Sequence, residues 1–162
     1  MTRTIITVMV IATGLAMNSC RKHKMDMNME KNINYPAAYV VNGEDGTLSV
    51  IKLADNMVTE TIELMESNTS MPMWPHHIYK HEAIDMTHLA IAAPGMDLSA
   101  GHTGAMPGMK GKILIMDAVK GMMVKELEVP VMNHNATYSP DGTEIWTSQM
   151  GMSGKVLVYD AN

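Results

Sequence analysis

The stretch YSPDGTEIWTSQMGMSGKVLVYDAN, Tyr138–Asn162, decides the fold. Its segment SPDG has the composition of a tight turn, because Ser and Asp bond to nearby backbone and Gly accepts a positive φ. Two short alternating runs rich in Ile, Val, Thr, Trp and Tyr follow, separated by a Gly-containing connection. This pattern predicts a turn, a strand, a hairpin and a second strand.

Two earlier segments repeat the second half of this pattern. Gly46–Leu64 and Gly111–Val129 each begin with Gly and run through a strand, a turn and a second alternating strand, whereas Gly154–Asn162 stops after the turn. Another short strand precedes each Gly, and two of these follow His-containing segments, PMWPHHIY and PVMNHNATY. Each unit is therefore predicted to hold four antiparallel strands, A to D. The first unit lacks strand A and the last lacks strand D.

This order of strands and turns resembles the YVTN-type β-propeller repeat, which is related to the propellers of haem-containing nitrite reductases and of nitrous oxide reductase. The resemblance covers about residues 35–162 and implies an all-β fold of antiparallel four-stranded blades. Blades run about 40–50 residues and propellers typically have four to eight of them. The chain is thus expected to hold about three blades of an incomplete propeller, with further blades or an oligomer closing the ring. Another antiparallel sandwich is the alternative.

The amino terminus has the features of an export signal. Arg3 precedes an apolar run, Ile5–Ala16, which has signal-peptide length and is short for a bilayer span. The sequence MNSC follows and resembles a bacterial lipobox in which Cys20 carries the lipid. We therefore predict export to the periplasm or cell surface and attachment to a membrane by lipid. The alternatives are an ordinary cleaved signal or an uncleaved anchor.

The predicted domains follow from these features. Residues 1–20 form the lipoprotein-type signal peptide, residues 21–34 a flexible tether without apolar periodicity, and residues 35–162 the partial propeller. The tether is expected to contribute little packing, and the apolar run of the signal is expected to be helical. Because Cys20 is the only cysteine, no intrachain disulfide can form.

Composition limits the partners and the chemistry. A net charge of −5 argues against nucleic acid as a partner. The chain has 20 Met and no Phe, so methionine serves either as a flexible core filler or as a ligand for soft metals. The sequence contains no CxxCH, GxSxG, HExxH or phosphate-loop motif, so no catalytic residue is assigned.

Strand alternation sorts the soft ligands by face. In an antiparallel blade the D-to-A connections and B-to-C hairpins share one end, which is the channel mouth because strand A is innermost. Nine Met and four His fall at this end. Aligning the two proline-containing segments places His76 over His134, so these two should be neighbours. The predicted metal ligands at the mouth are His76, His77, His134, His102, Met96, Met106, Met109, Met150 and Met152.

Copper is the predicted cofactor, because imidazole suits copper and thioether selects Cu(I). In nitrous oxide reductase histidines at the propeller hub hold a copper cluster, and the PHH here resembles one of its histidine pairs. The Gly-rich insert Met96–Gly111 has the length of a functional loop and is expected to lean over the mouth. A structural role for any single histidine, and a core role for Met73 and Met132, are the alternatives. His81 and His88, assigned to the far turn and to strand B, are not predicted to bind metal.

Three functions fit the sequence. The first is an exported, lipid-anchored propeller that binds copper, in metal handling or as an accessory to a copper enzyme. The second is a surface scaffold for protein or glycan partners in which methionine is only filler. The third is a piece of a redox enzyme of the nitrite or nitrous oxide reductase type.

We predict that the mature protein begins at Cys20 and carries lipid there, because the apolar run and MNSC together form the processing signal. Mass spectrometry of the mature amino terminus measures this directly. Replacing Cys20 with Ser should abolish the lipid mass, whereas replacing His23 with Ser in the adjoining segment should leave it. An unmodified Cys20, or cleavage well downstream of it, would contradict the prediction.

Overall fold

The computed structural model describes five ranges of the chain, residues 29–65, 73–83, 86–99, 108–150 and 154–162. The predicted signal helix and Cys20 lie outside these ranges. Within them the regular structure consists entirely of strands, and no helix is long and apolar enough to cross a membrane.

Ten strands form three antiparallel sheets, each joined in chain order. Sheet 1 consists of β1 (Ala37–Asn42), β2 (Thr47–Lys52) and β3 (Met57–Glu63). Sheet 2 consists of β4 (His77–Ala83), β5 (Met86–Ala93), β6 (Gly111–Asp117) and β7 (Met122–Val129). Sheet 3 consists of β8 (Thr137–Tyr138), β9 (Glu144–Ser148) and β10 (Val156–Asp160), in the order β10-β9-β8.

This architecture confirms the predicted fold class. The protein is all-β in the ranges described, with successive antiparallel sheets that do not close into a ring. Sheet 2 has all four strand positions, A to D. Among the described residues sheet 1 has only B, C and D, and sheet 3 only A, B and C, as the sequence repeat requires.

Local geometry shows that the repeats fold alike. The C and D strands of sheets 1 and 2 each contain one register shift, between Val50 and Ile51 in the first and between Ile115 and Met116 in the second. These are equivalent positions when Gly46 is set on Gly111. A bulge increases local twist, so the repeat carries the same local irregularity in both sheets.

Sheet 2 is covered on both faces, and this burial holds the three sheets together. Leu114 and Met116 point toward sheet 1, where they pack with Leu48, Val50 and other buried side chains. Their neighbours in β6 point the opposite way, and Ile113 packs with the Ile145 side of sheet 3. A strand buried on both sides reads as a continuous apolar run, which is the character of GKILIMD in β6.

The packed domain begins earlier than predicted, which corrects the carboxyl-terminal boundary of the tether. The backbone N–H groups of Lys31 and Ile33 donate to the carbonyls of Lys120 and Val119, at 2.6 and 2.9 Å. The side chain of Ile33 is buried in the core between sheets 1 and 2. One apolar residue in a polar segment creates no periodicity, so the sequence pattern could not reveal this attachment.

We predict that Ile113→Ala and Leu114→Ala each destabilise the protein by about 2–5 kcal/mol, because each leaves a cavity in a different inter-sheet core. Both side chains are fully buried although they are adjacent and point in opposite directions. Val124→Ala, at an exposed valine of β7, should cost less than about 0.5 kcal/mol. Denaturant unfolding measures all three. A neutral effect at either buried position would show that its face of sheet 2 is not covered.

Candidate metal centre

His76 and His134 occupy equivalent places at the start of the innermost strands. The backbone N–H of His76 donates to the carbonyl of Ala92 at 2.8 Å, and the N–H of His134 donates to that of Ser148 at 3.3 Å. Ala92 and Ser148 are themselves equivalent positions. Ala92 pairs with Ile113 and Ser148 pairs with Val156, and each of these partners is the second residue after the Gly that opens strand C of its sheet. The predicted alignment of the two histidines is therefore confirmed.

Three histidine rings meet at this end of the interface between sheets 2 and 3. The rings of His76 and His77 stack with centroids 4.3 Å apart and planes 5° from parallel. The ring of His134 lies 5.2 Å from that of His76 and 4.6 Å from that of His77, tilted to both. The prediction that these three side chains are neighbours is confirmed.

The spacing of the three imidazoles is close to that of a metal site. One nitrogen from each ring lies within 4.8 Å of the other two. Imidazole nitrogens sharing an ion at 2.0–2.1 Å in a tetrahedral site are roughly 3.4 Å apart. The set must therefore contract by roughly 1.4 Å at its widest separation. His76 is exposed and His77 and His134 are half-buried, so rotation of the His76 side chain is the simplest way to achieve this.

Hydrogen bonds of the neighbouring asparagines fix the backbone around His134. The side-chain oxygen of Asn135 accepts from the backbone N–H and the hydroxyl of Ser148, at 2.7 and 2.6 Å. Asn133 is fully buried and donates to the carbonyl of Lys112 at 3.2 Å. A Cβ on Gly111 would lie 2.1 Å from the Asn133 side-chain oxygen, so this position requires glycine. The sequence analysis did not predict that Asn133 and Asn135 position His134. The two asparagines on either side of a predicted ligand could have indicated it.

The segment leading to His76 adopts an uncommon backbone conformation. Trp74 has a φ of 50°, which is rare for a bulky residue and is further disfavoured immediately before a proline. Pro75 is buried, and its carbonyl lies 3.0 Å from where a Cβ of Gly43 would be. This turn places His76 and His77 side by side where β4 begins. Nothing in the sequence pattern indicated it.

His77 has an electrostatic environment that favours its neutral form. Burial lowers the pKa of the His77 ring, the adjacent His76 lowers it further, and a hydrogen bond with the backbone of His134 partly offsets both. The Nδ1 atom of His77 is buried and has no hydrogen-bond partner among the described residues. A neutral imidazole with a free lone pair is the form that binds metal.

A groove borders the exposed side of the cluster and receives part of the predicted loop. Trp74, Pro75 and His76 form one wall, and Met96 and Leu98 lie along the other. The described start of the insert therefore lies next to the histidines, as expected. Glu44 and Asp97 also line the groove, so its rim is acidic.

The other predicted ligands divide into three groups. Met150 lies close to the His134 segment, because its N–H donates to the carbonyl of Met132 at 2.7 Å. Met109 lies on the connection between β5 and β6, near Gly95. His102, Met106 and Met152 lie outside the described ranges.

Two methionines and one histidine outside the cluster have structural roles. Met73 and Met132 are buried core residues. His81 lies within β4 rather than in the turn after it, which corrects its assignment, and it is paired with His88 across β4 and β5. Its ring packs against that of Tyr138 at 5.2 Å, at the end of the sheet away from the cluster.

Comparison of the chain with protein-family models and with curated proteins found no match in either case.

We predict that acidification destabilises the protein through His77. The folded state lowers the pKa of this ring below its ordinary 6.5, so the unfolded chain takes up the proton first. The stabilisation is complete above pH 6.5 and is lost as the pH falls through 6.5 toward the folded-state pKa. Thermal unfolding between about pH 7.5 and 5.5 should show this loss in the wild type and a smaller one in His77→Gln. The same pH dependence in both proteins would rule out His77 as its source.

Proposed function

We propose that this chain is an exported, lipid-anchored β-propeller protein that binds copper at its channel mouth, in metal handling or as an accessory to a copper enzyme. One observation carries the metal site. Three histidines from two successive sheets converge with ligand nitrogens within 4.8 Å of one another. Any function based on this surface has to account for that convergence.

The chemistry of the cluster favours a cation. His76, His77 and His134 lie together at the start of two strands, and three protonated imidazoles at this separation would repel one another. Burial and the neighbouring ring already lower the pKa of His77. A bound metal would use the lone pairs of all three neutral rings and would provide a partner for the buried Nδ1 of His77.

The surrounding methionines favour copper over other imidazole-binding metals. Imidazole alone suits zinc, copper, iron and nickel, whereas thioether sulfur selects Cu(I). Met96 lines the same groove as His76. The backbone N–H of Met150 donates to the carbonyl of Met132, which lies two residues before His134. We therefore propose that the three histidines hold the ion and that a methionine from the groove supplies a sulfur ligand. Met65 is a poorer candidate, because its sulfur already accepts the N–H of Met73 at 3.3 Å.

The other two functions make different demands on the same residues. A scaffold for protein or glycan partners would leave the three imidazoles without metal and would use the groove beside Trp74 directly. A redox enzyme of the nitrite or nitrous oxide reductase type would need ligands from further blades, so this chain would hold only part of its centre.

We predict that replacing both His76 and His134 with Ala weakens Cu(I) binding by on the order of 100-fold or more. Changes to residues that only support metal ligands already cost about 10–100-fold, and this variant removes two ligands. Affinity is measured by competition with a chromogenic Cu(I) chelator, using the full chain in detergent.

The matched control is the double variant His81→Ala/His88→Ala. It removes the same number of imidazoles, both from sheet 2 and from the end of that sheet away from the cluster. Its affinity should remain within a few-fold of the wild type. Equal losses in the two double variants would refute the mouth site, and the absence of Cu(I) binding by the wild type would favour the scaffold function.

A comparison of Cu(I) binding with Zn(II) binding distinguishes the contribution of the sulfur ligand from that of the histidines. Met96→Leu/Met150→Leu preserves apolar volume but removes two thioethers, so it should weaken Cu(I) binding and leave Zn(II) binding nearly unchanged. Loss of both metals to the same extent would mean that these positions support the cluster without supplying sulfur.

A further inference from the structure

The outward face of sheet 3, the face turned away from sheet 2, is apolar, and no element of the part of the chain that the structure describes covers it. Trp146 on β9 and Val158 on β10 are directly opposite each other in the register, and Val156 lies two residues before Val158. Their exposed fractions are 48%, 49% and 59%. We call these three residues the sheet 3 end face. Three large neighbouring apolar side chains exposed on one sheet face indicate a surface that another element covers.

The same positions in sheet 2 are an interface. When the glycines that open the two C strands are aligned, the end-face residues correspond to Ala90, Ile113 and Ile115. Those three are 0%, 0% and 2% exposed, because sheet 3 packs on them. The sheet 3 end face therefore repeats, residue for residue, a surface that the chain buries between its own sheets.

The other end of the stack carries the complementary surface. On sheet 1, Val40 and Val58 are exposed, with fractions of 43% and 56%, on the face turned away from sheet 2. Val40 is equivalent to Ile91, which is fully buried against sheet 1. We call Val40 and Val58 the sheet 1 end face. It has the position of a face that receives the preceding sheet.

We propose that the sheet 3 end face of one copy packs on the sheet 1 end face of a second copy. The chain makes this kind of contact twice internally, between sheets 1 and 2 and between sheets 2 and 3. Two copies joined at both pairs of ends contain six of the sheets that the structure describes, a number within the four to eight blades of known propellers. A head-to-tail contact that closes after two copies gives a finite ring rather than a filament. This inference does not depend on the metal site.

A charge on either end face tests the contact. Val158→Lys should convert a two-copy particle into a single copy and weaken association at least 100-fold, since a lysine would be buried without a partner. The matched control is Val124→Lys, which puts the same charge on a valine of similar exposure, 56%, on the outer strand of sheet 2. Sedimentation of the full chain in a nonionic detergent gives the mass. Association through the apolar amino-terminal segment would survive both substitutions and would overturn the proposal. Circular dichroism confirms that each variant keeps its strands.

Mixing two variants reveals the direction of the contact. Val40→Lys alone should also give single copies. A mixture of Val40→Lys with Val158→Lys should recover a two-copy particle joined at one contact, since the intact sheet 3 end face of the first can meet the intact sheet 1 end face of the second. The two faces that carry lysine stay apart, so this particle is open and associates more weakly than the wild type. A wild type that sediments as one copy would overturn the proposal. A contact that Val158→Lys breaks while Val40→Lys leaves it intact would also overturn it, because the two copies would then meet face to face.

Discussion

Burial of the middle sheet on both faces is the constraint on which the rest of the structure depends. Ile113 and Leu114 are neighbours in β6, yet each is fully buried against a different sheet. Since side chains alternate along a strand, β6 cannot satisfy one contact without presenting the other. A one-residue slip would exchange the two faces of β6. It would turn Lys112 toward sheet 3 and Asp117 toward sheet 1. The register of sheet 2 thus fixes the position of both neighbouring sheets.

The histidine cluster is a consequence of that stacking. His76 immediately precedes β4, His77 is its first residue, and His134 lies in the segment before β8. The cluster therefore exists only while β4 and β8 lie side by side. The core between sheets 2 and 3 therefore supports the site as well as the fold.

The sequence was sufficient for the features that repeat. Strand order, the missing strands of sheets 1 and 3, and the proximity of His76 and His134 all follow from the alternation of strands and the alignment of units. The features that occur only once could not be predicted from the sequence. The attachment of Ile33 to the turn at Val119, and the placement of His81 inside β4, depend on single contacts that leave no periodic signal. The roles assigned to residues outside the described ranges, such as His102, remain predictions.

The backbone at Trp74 bears on how a metal would meet its ligands. A left-handed conformation before proline costs on the order of 1–3 kcal/mol and persists only where the surroundings enforce it. Here the N–H of Gly95 donates to the carbonyl of Met73, and the N–H of His76 donates to that of Ala92, at 2.9 and 2.8 Å on either side of the turn. These two bonds hold the turn in this conformation. For the proposed metal site, this means that the backbone places His76 and His77 side by side, whereas their rings must leave the parallel stack before nitrogens of both can point at one ion.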